Sequence, residues 1–348
     1  MQRRFFIRQM LGALPVIYAG SPLLSFARQS APAQLGHEDI ALIAEAFNLW
    51  KTLGEKMWTG WTEIPMPVLY ITGEWEYAIG FPGAMRGFQP LRQNIGLTGN
   101  IQTRRRVLSP DSSASRDIER VDAVVMGTPA ALRKSSGAWV LTAVHEMFHV
   151  LQSARGSTGK VRALKLGPET DASWQLDFPF PYKDADVMRL IHLQGYPIYL
   201  GITGTEEAEV KYNAGTALDA IQVYRSFLKT LAADERLYWY SQFQETIEGI
   251  GRYTEYKMAE AAANSDYQPT EAFRRLADFK GYRQVWEESY KNQLFPIKHA
   301  GRAARSRTTF YYLGLGKGLL LDRIMPEWKA RYFAPDVWLD GLLAAALG

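Results

Sequence analysis

The chain has 348 residues, 47% hydrophobic and 22% charged, with 40 Lys plus Arg against 36 Asp plus Glu for a net charge of +4. That length and balance suit a globular protein of one large domain or two coupled ones. The absence of cysteine excludes disulfides, a lipid-modified cysteine anchor and thiol chemistry, so stability has to come from the core or from a bound ion.

The first segment reads MQRRFFIRQMLGALPVIYAGSPLLSFA. Arg3 and Arg4, then Phe6, Ile7 and Arg8, resemble the twin-arginine export signal. A short apolar run interrupted by Pro15 and Pro22 follows, and Ser25-Phe26-Ala27 places small residues where a signal peptidase cuts. Ala31-Pro32-Ala33 is a second cleavage candidate. Residues 1–33 are therefore expected to be a signal peptide with a short linker, delivered to the twin-arginine machinery. The product is expected to be periplasmic or secreted. No later stretch reaches 18 uninterrupted apolar residues, so stable membrane insertion of the mature chain is not expected. Removing residues 1–27 takes away three arginines and no acid, which leaves 37 basic against 36 acidic residues and a charge of +1. A nucleic-acid partner, which needs a basic face, is not expected.

From residue 34 a single domain is expected to run to 348. EDIALIAEAFNLWKTLGEKMW, within 34–60, has helical apolar spacing behind Glu38 and Asp39. From Ile64 to about Leu132 short apolar runs such as VLYITG and DAVVMG alternate with Gly, Pro and polar residues, which predicts a small β-sheet. NIQTRRRVLSP fits an edge strand of it. Beyond Ser135 or Ser136, either of which could cap, a helix is predicted over about 137–153. Residues 155–182 form a Gly/Pro-rich connection too aromatic for a free linker, expected near the site. Helical texture returns over about 184–194, 206–232, 234–264 and 270–292, and RTTFYYLGLGKGLLLDRIMPEWKARYF reads as a helix with a short Pro-initiated one behind it. The fold class expected is α+β, helix and sheet over 34–135 and mainly helical over 136–348.

The helix over 137–153 contains AVHEMFHVLQ, Ala143 to Gln152. His145 and His149 stand one turn apart, so both rings leave one face and can grip one ion. Glu146, about 100° around the helix, can reach a water beside that ion without ligating it. A chance His-Glu-x-x-His in a chain with 5 His is on the order of one in a few hundred. The uncharged neighbours Thr142, Ala143, Val144, Met147, Phe148, Val150 and Leu151 strengthen the signal, and the stretch resembles the long signature of zinc metallopeptidases.

A catalytic zinc (Zn2+) site takes three protein ligands and keeps one position open. The metzincin extension would place Gly and His three and six residues after His149, where this chain has Gln152 and Arg155, and that clan is excluded. GTALD, ending at Asp219, has one residue too many for the aspartate-ligand families. In QETIEGIGRYTEYKMAE, Gln244 to Glu260, Glu248 is flanked by Gly249 and Gly251, whose cost to a helix is explained by close approach to another helix or to a site. Glu-Gly-x-x-x-Tyr resembles the second helix of gluzincin metallopeptidases, and that resemblance implies Glu248 as the third metal ligand on a zincin-like fold. The thermolysin-like form of that helix, Asn-Glu-x-x-x-Asp, is absent. Glu255 is left as an alternative ligand or a partner for a histidine Nδ1, and Glu245 lies one turn earlier.

Donors for an oxyanion are Tyr253, Tyr256, Tyr311, Tyr312 and His299, with Tyr312 and Tyr253 chosen as catalytic candidates beside Glu146. Gly314, Gly316 and Gly318 lack the strand and spacing of a dinucleotide fingerprint and fit tight helix packing. The basic run KHAGRAARSR, Lys298 to Arg307, suits a solvated loop or the anchoring of a substrate carboxylate. The expected function is an exported zinc-dependent peptidase acting on a peptide or protein substrate, in which zinc-activated water, deprotonated by Glu146, attacks a peptide carbonyl. A non-catalytic binding protein and a hydrolase of non-peptide substrates stay open beside it.

Overall fold

The computed structural model describes residues 34–96, 99–168 and 173–348. The export segment expected over 1–33 lies outside the described residues, as do both cleavage candidates. The first helix, His37–Met57, carries Glu38 and Asp39 in its opening turn, where the helix dipole favours acids. Leu42, Ala46, Leu49 and Leu53 form its buried stripe, and this stripe lies on the helix Ser136–Ala154, called here the histidine helix.

Six strands separate the two helices: β1 Val68–Ile71, β2 Trp75–Ile79, β3 Gln89–Pro90, β4 Ile101–Arg105, β5 Ser113–Ile118 and β6 Val121–Gly127. They form one sheet in the order β3-β4-β2-β1-β6-β5, with β1 and β6 parallel and the other neighbours antiparallel. Val68 and Tyr70 of β1 face the main helical core, whereas Leu69 and Ile71 face a smaller cluster containing Phe81 and Met85. Both faces of β1 are covered, which is why it reads as a continuous apolar run. One expectation is corrected here. β4 is not an edge strand, because the two-residue β3 pairs along its outer side. The long edge belongs to β5, whose sequence SASRDI carries too few apolar residues to be read as a strand.

The end of β6 fixes the start of the histidine helix. A Cβ on Gly127 would lie 1.8 Å from the Pro110 carbonyl oxygen, so no other residue fits there. The Gly127 carbonyl accepts a hydrogen bond from Trp139 Nε1 at 2.7 Å. Ser135 caps the helix, its Oγ accepting from the Ala138 amide. Ser136, the other capping candidate, donates from its amide (2.8 Å) and its hydroxyl (2.6 Å) to the Asp278 carboxylate.

The remaining chain is helical. Ala185–Thr203 and Glu207–Leu231 pack as a hairpin. Arg236–Phe243, a π-helical turn at Gln244–Gly249 and Ile250–Asn264 follow without a break; this is the glutamate helix. Thr308–Ile324 is the lysine helix, and Trp328–Tyr332 and Leu339–Leu347 end the fold. The helix expected over 270–292 is broken into Glu271–Arg274, Tyr282–Val285 and a π-turn at Trp286–Tyr290. The break falls at Gly281 and at Asp278, which is engaged on Ser136. The architecture is mixed α+β, sheet first and helices after. Among the described residues no helix is long and apolar enough to cross a membrane.

Replacing Asp278 with alanine removes both acceptors at the start of the histidine helix. The expected loss is about 1 kcal/mol of stability, read from the midpoint of urea unfolding. An unchanged midpoint would show that the contact contributes nothing.

Candidate metal centre

The histidine helix and the glutamate helix meet where the sequence places its chemistry. Nε2 of His145 and Nε2 of His149 point at each other, 3.0 Å apart, and Glu248 Oε2 lies 3.7 Å from His149 Nε2. One ligand atom from each of the three residues lies within 4.8 Å of the others, and the group could hold a metal ion. An ion about 2.1 Å from each of three tetrahedral ligands would space them roughly 3.4 Å apart. The observed separations bracket that value.

The outer sides of the two rings are committed. The Gln152 amide nitrogen donates to the Ile247 carbonyl (3.0 Å) and to the Tyr332 hydroxyl (2.6 Å), and Tyr332 in turn donates to the Thr246 carbonyl. The Gln152 oxygen is thereby turned to His149 Nδ1 at 2.5 Å, so that nitrogen carries the hydrogen. Glu255 Oε2 lies 3.3 Å from His145 Nδ1 and fixes the other ring in the same way. With Nδ1 of each ring engaged on an acceptor, the two Nε2 atoms are left facing each other beside the Glu248 carboxylate. An approach of 3.0 Å is satisfied by a proton on one of the two nitrogens or by a cation held between both.

The surrounding charge has the sign a cation needs. Burial works to lower the His145 pKa, but Glu255, Glu146 and Glu248 outweigh it and raise it. Burial works to raise Glu248, yet His149, His145, the Tyr311 hydroxyl and Arg307 hold it below the ordinary carboxylate value. Glu255 is likewise buried, and Arg252 (2.9 Å), His145 and the Tyr290 hydroxyl (2.6 Å) keep it well below the usual range. Glu146, also buried, stands outside the three-residue group and accepts from Ser113 Oγ of β5 at 3.0 Å.

Backbone close approach makes the meeting of helices possible. A Cβ on Gly251 would lie 2.8 Å from the His145 ring and 3.2 Å from the His149 ring, and a Cβ on Gly249 would lie 2.6 Å from Gly314 Cα of the lysine helix. One flanking glycine therefore admits the site and the other a neighbouring helix. The π-turn Gln244–Gly249 adds a residue to the winding just where Glu248 must face the histidines. On the same turn, Glu245 is held with Asp340 by the fully buried ammonium of Lys317, so it is an anchor rather than a ligand.

Among the remaining candidates, Glu255 takes the Nδ1 position rather than the ligand position. Tyr253 is corrected: its hydroxyl donates to both Asp322 oxygens at 2.9 Å and its ring packs against Trp58 and Trp328, which places it in the core. Tyr312 is placed differently from Tyr311. Its ring lies beneath the Arg252 guanidinium, and the hydroxyl facing Glu248 belongs to its neighbour, Tyr311. Tyr256 packs on Trp286, His299 stacks with His192 and Phe295, and Asp219 is exposed on the helix Glu207–Leu231.

Sequence reasoning missed Gln152 as a partner of His149, although a buried amide on an otherwise apolar helix face was a visible cue. Ser113, Tyr290 and Tyr332 offered no cue, being brought in only by the fold.

Gln152→Leu and Glu255→Gln are each expected to weaken divalent-metal affinity by about 10–100-fold in competition titrations, and unchanged affinity in both would show the Nδ1 partners to be idle. Lys317→Met leaves Glu245 and Asp340 buried without a counter-charge. It is expected to cost roughly 3–5 kcal/mol in chemical unfolding, whereas a neutral result would contradict the anchoring role. Comparison with protein-family models, with curated proteins and with solved structures finds no match to this chain.

Proposed function

We propose that the chain is a zinc-dependent hydrolase of gluzincin type acting on peptide bonds, with His145, His149 and Glu248 as metal ligands on a zincin-like arrangement. The observation that carries this reading is the convergence of the two Nε2 atoms, 3.0 Å apart with both Nδ1 atoms engaged on acceptors, on the Glu248 carboxylate, next to a buried glutamate left out of the ligand group. A purely structural metal site needs no such base. The export-like start of the chain, with a periplasmic or secreted location, remains part of the proposal.

Bound zinc would supply Lewis acidity, polarising a carbonyl and acidifying a water. Glu146 is then the group that takes the water's proton and hands it to the leaving nitrogen. The Ser113 hydroxyl holds one of its oxygens, leaving the other for the water. Tyr311 stays protonated, because burial and the Glu248 charge raise its pKa well above the ordinary phenol value. Its one hydrogen faces Glu248, and its proposed role is to turn that hydrogen to the developing oxyanion once the carboxylate is engaged on the metal. A peptide is favoured over other substrates by β5, which ends the sheet. Beginning at the serine that touches Glu146, its outer backbone groups can pair with an extended chain.

Glu146→Gln is expected to keep its zinc and lose about 10²–10⁴-fold in kcat on a susceptible peptide, whereas Glu248→Ala is expected to lose metal first. Full peptidase activity in Glu146→Gln would contradict the assignment of the base. A zinc-loaded wild type that cleaves nothing in a broad peptide library would contradict the peptidase reading.

A further inference from the structure

The basic run Lys298 to Arg307 divides once its side chains are placed. Lys298 lies over the rings of Tyr196 and Tyr199, at 5.9 and 5.2 Å, and Arg302 and Arg305 are exposed. Arg307 turns inward. Half-buried, it donates from Nη1 to the Tyr311 hydroxyl at 2.7 Å, with its guanidinium 5.5 Å from that ring.

Tyr311 is one helical turn beyond Arg307 and faces Glu248, so the guanidinium stands one hydroxyl away from the metal group. Among the described residues no carboxylate pairs directly with it, and a neutral phenol uses one of five N–H donors. A partly desolvated guanidinium is ordinarily matched by an anion. Among the described residues, the carboxylate that shares the Tyr311 hydroxyl with it is Glu248, and a divalent ion held by that glutamate would offset that charge. The loaded site would then present at its rim a fork-shaped cation that no described carboxylate pairs directly.

We propose that Arg307 is the specificity-determining residue of a subsite for a substrate carboxylate, placed within a residue of the attacked bond. Only the Tyr311 hydroxyl stands between the guanidinium and Glu248, and consecutive Cα atoms are about 3.8 Å apart, so the residue beside the attacked carbonyl is the one whose carboxylate the subsite would take. Two sources share this chemistry, the C-terminal carboxylate of a short peptide and the side chain of an acidic residue. Arginine suits either through a bidentate pair. The inference rests on the hydrolase reading of the same site.

The test uses zinc-loaded Glu146→Gln protein, which retains the site without turnover. Calorimetric titration compares N-acetyl peptides with a free C-terminus, the same peptides amidated, and amidated peptides carrying Glu or Gln beside the candidate bond. At least one carboxylate-bearing form is expected to bind about tenfold or more tightly than its neutral counterpart. That preference is expected to vanish in Arg307→Met, with zinc content unchanged, and to be partly restored in Arg307→Lys. Preference for the free C-terminus alone assigns exopeptidase recognition, and preference for Glu over Gln assigns an acidic side chain. Equal binding of acidic and neutral peptides, or a preference that survives Arg307→Met, overturns the subsite while leaving the hydrolase reading intact. If no peptide binds but benzoate binds in an Arg307-dependent manner, the peptide reading falls and the carboxylate subsite stands. If benzoate also shows no dependence on Arg307, the subsite falls with it.

Discussion

Two imidazoles one helical turn apart, with their outer nitrogens tied to Gln152 and Glu255, are held with their Nε2 atoms facing each other. That constraint organises the centre of the molecule. It requires a hydrogen-bond acceptor behind each ring, and negative charge around both to draw in a cation. It also requires a second helix close enough to complete the group. The fold supplies these from separate parts of the chain: Gln152 from the histidine helix itself, and Glu255 and Glu248 from the glutamate helix.

The glutamate helix reaches the histidines because it lacks side chains where it would collide. Gly251 leaves space for both rings, and Gly249 lets the lysine helix press its own Gly314 against the opposite side. Between these contacts the winding loosens into a π-turn, and Glu245 on that turn is secured by the buried Lys317 and Asp340. A π-turn, a buried ion triad and two glycines each cost stability in isolation. Their concentration within a few residues of Glu248 is the pattern expected where local stability has been exchanged for the geometry of a site.

Much of this was legible from local pattern. The first helix, the placement of the sheet before the helices, the two histidines on one face and the meaning of the glycines beside Glu248 all follow from spacing, because each concerns residues within a turn or two of one another. What was not legible depends on long-range packing. β5 is too polar to read as a strand, yet it forms the sheet edge beside Glu146. Adjacent tyrosines 311 and 312 point in directions that sequence cannot tell apart, and only packing assigns Tyr311 to Glu248. Tyr253 sits on the glutamate helix within the motif that drew attention to it, but the turn of the helix directs it to Asp322 and the core.

The central claim is that His145, His149 and Glu248 together hold one metal ion through the two Nε2 atoms. X-ray absorption at the zinc edge, on the zinc-loaded chain, tests it most directly. The account predicts about one zinc per chain, with two imidazole nitrogens and oxygen ligands at about 2.0–2.2 Å, and the loss of one imidazole contribution in His149→Ala. A folded chain that takes up no zinc, or a spectrum without histidine ligation, would contradict it.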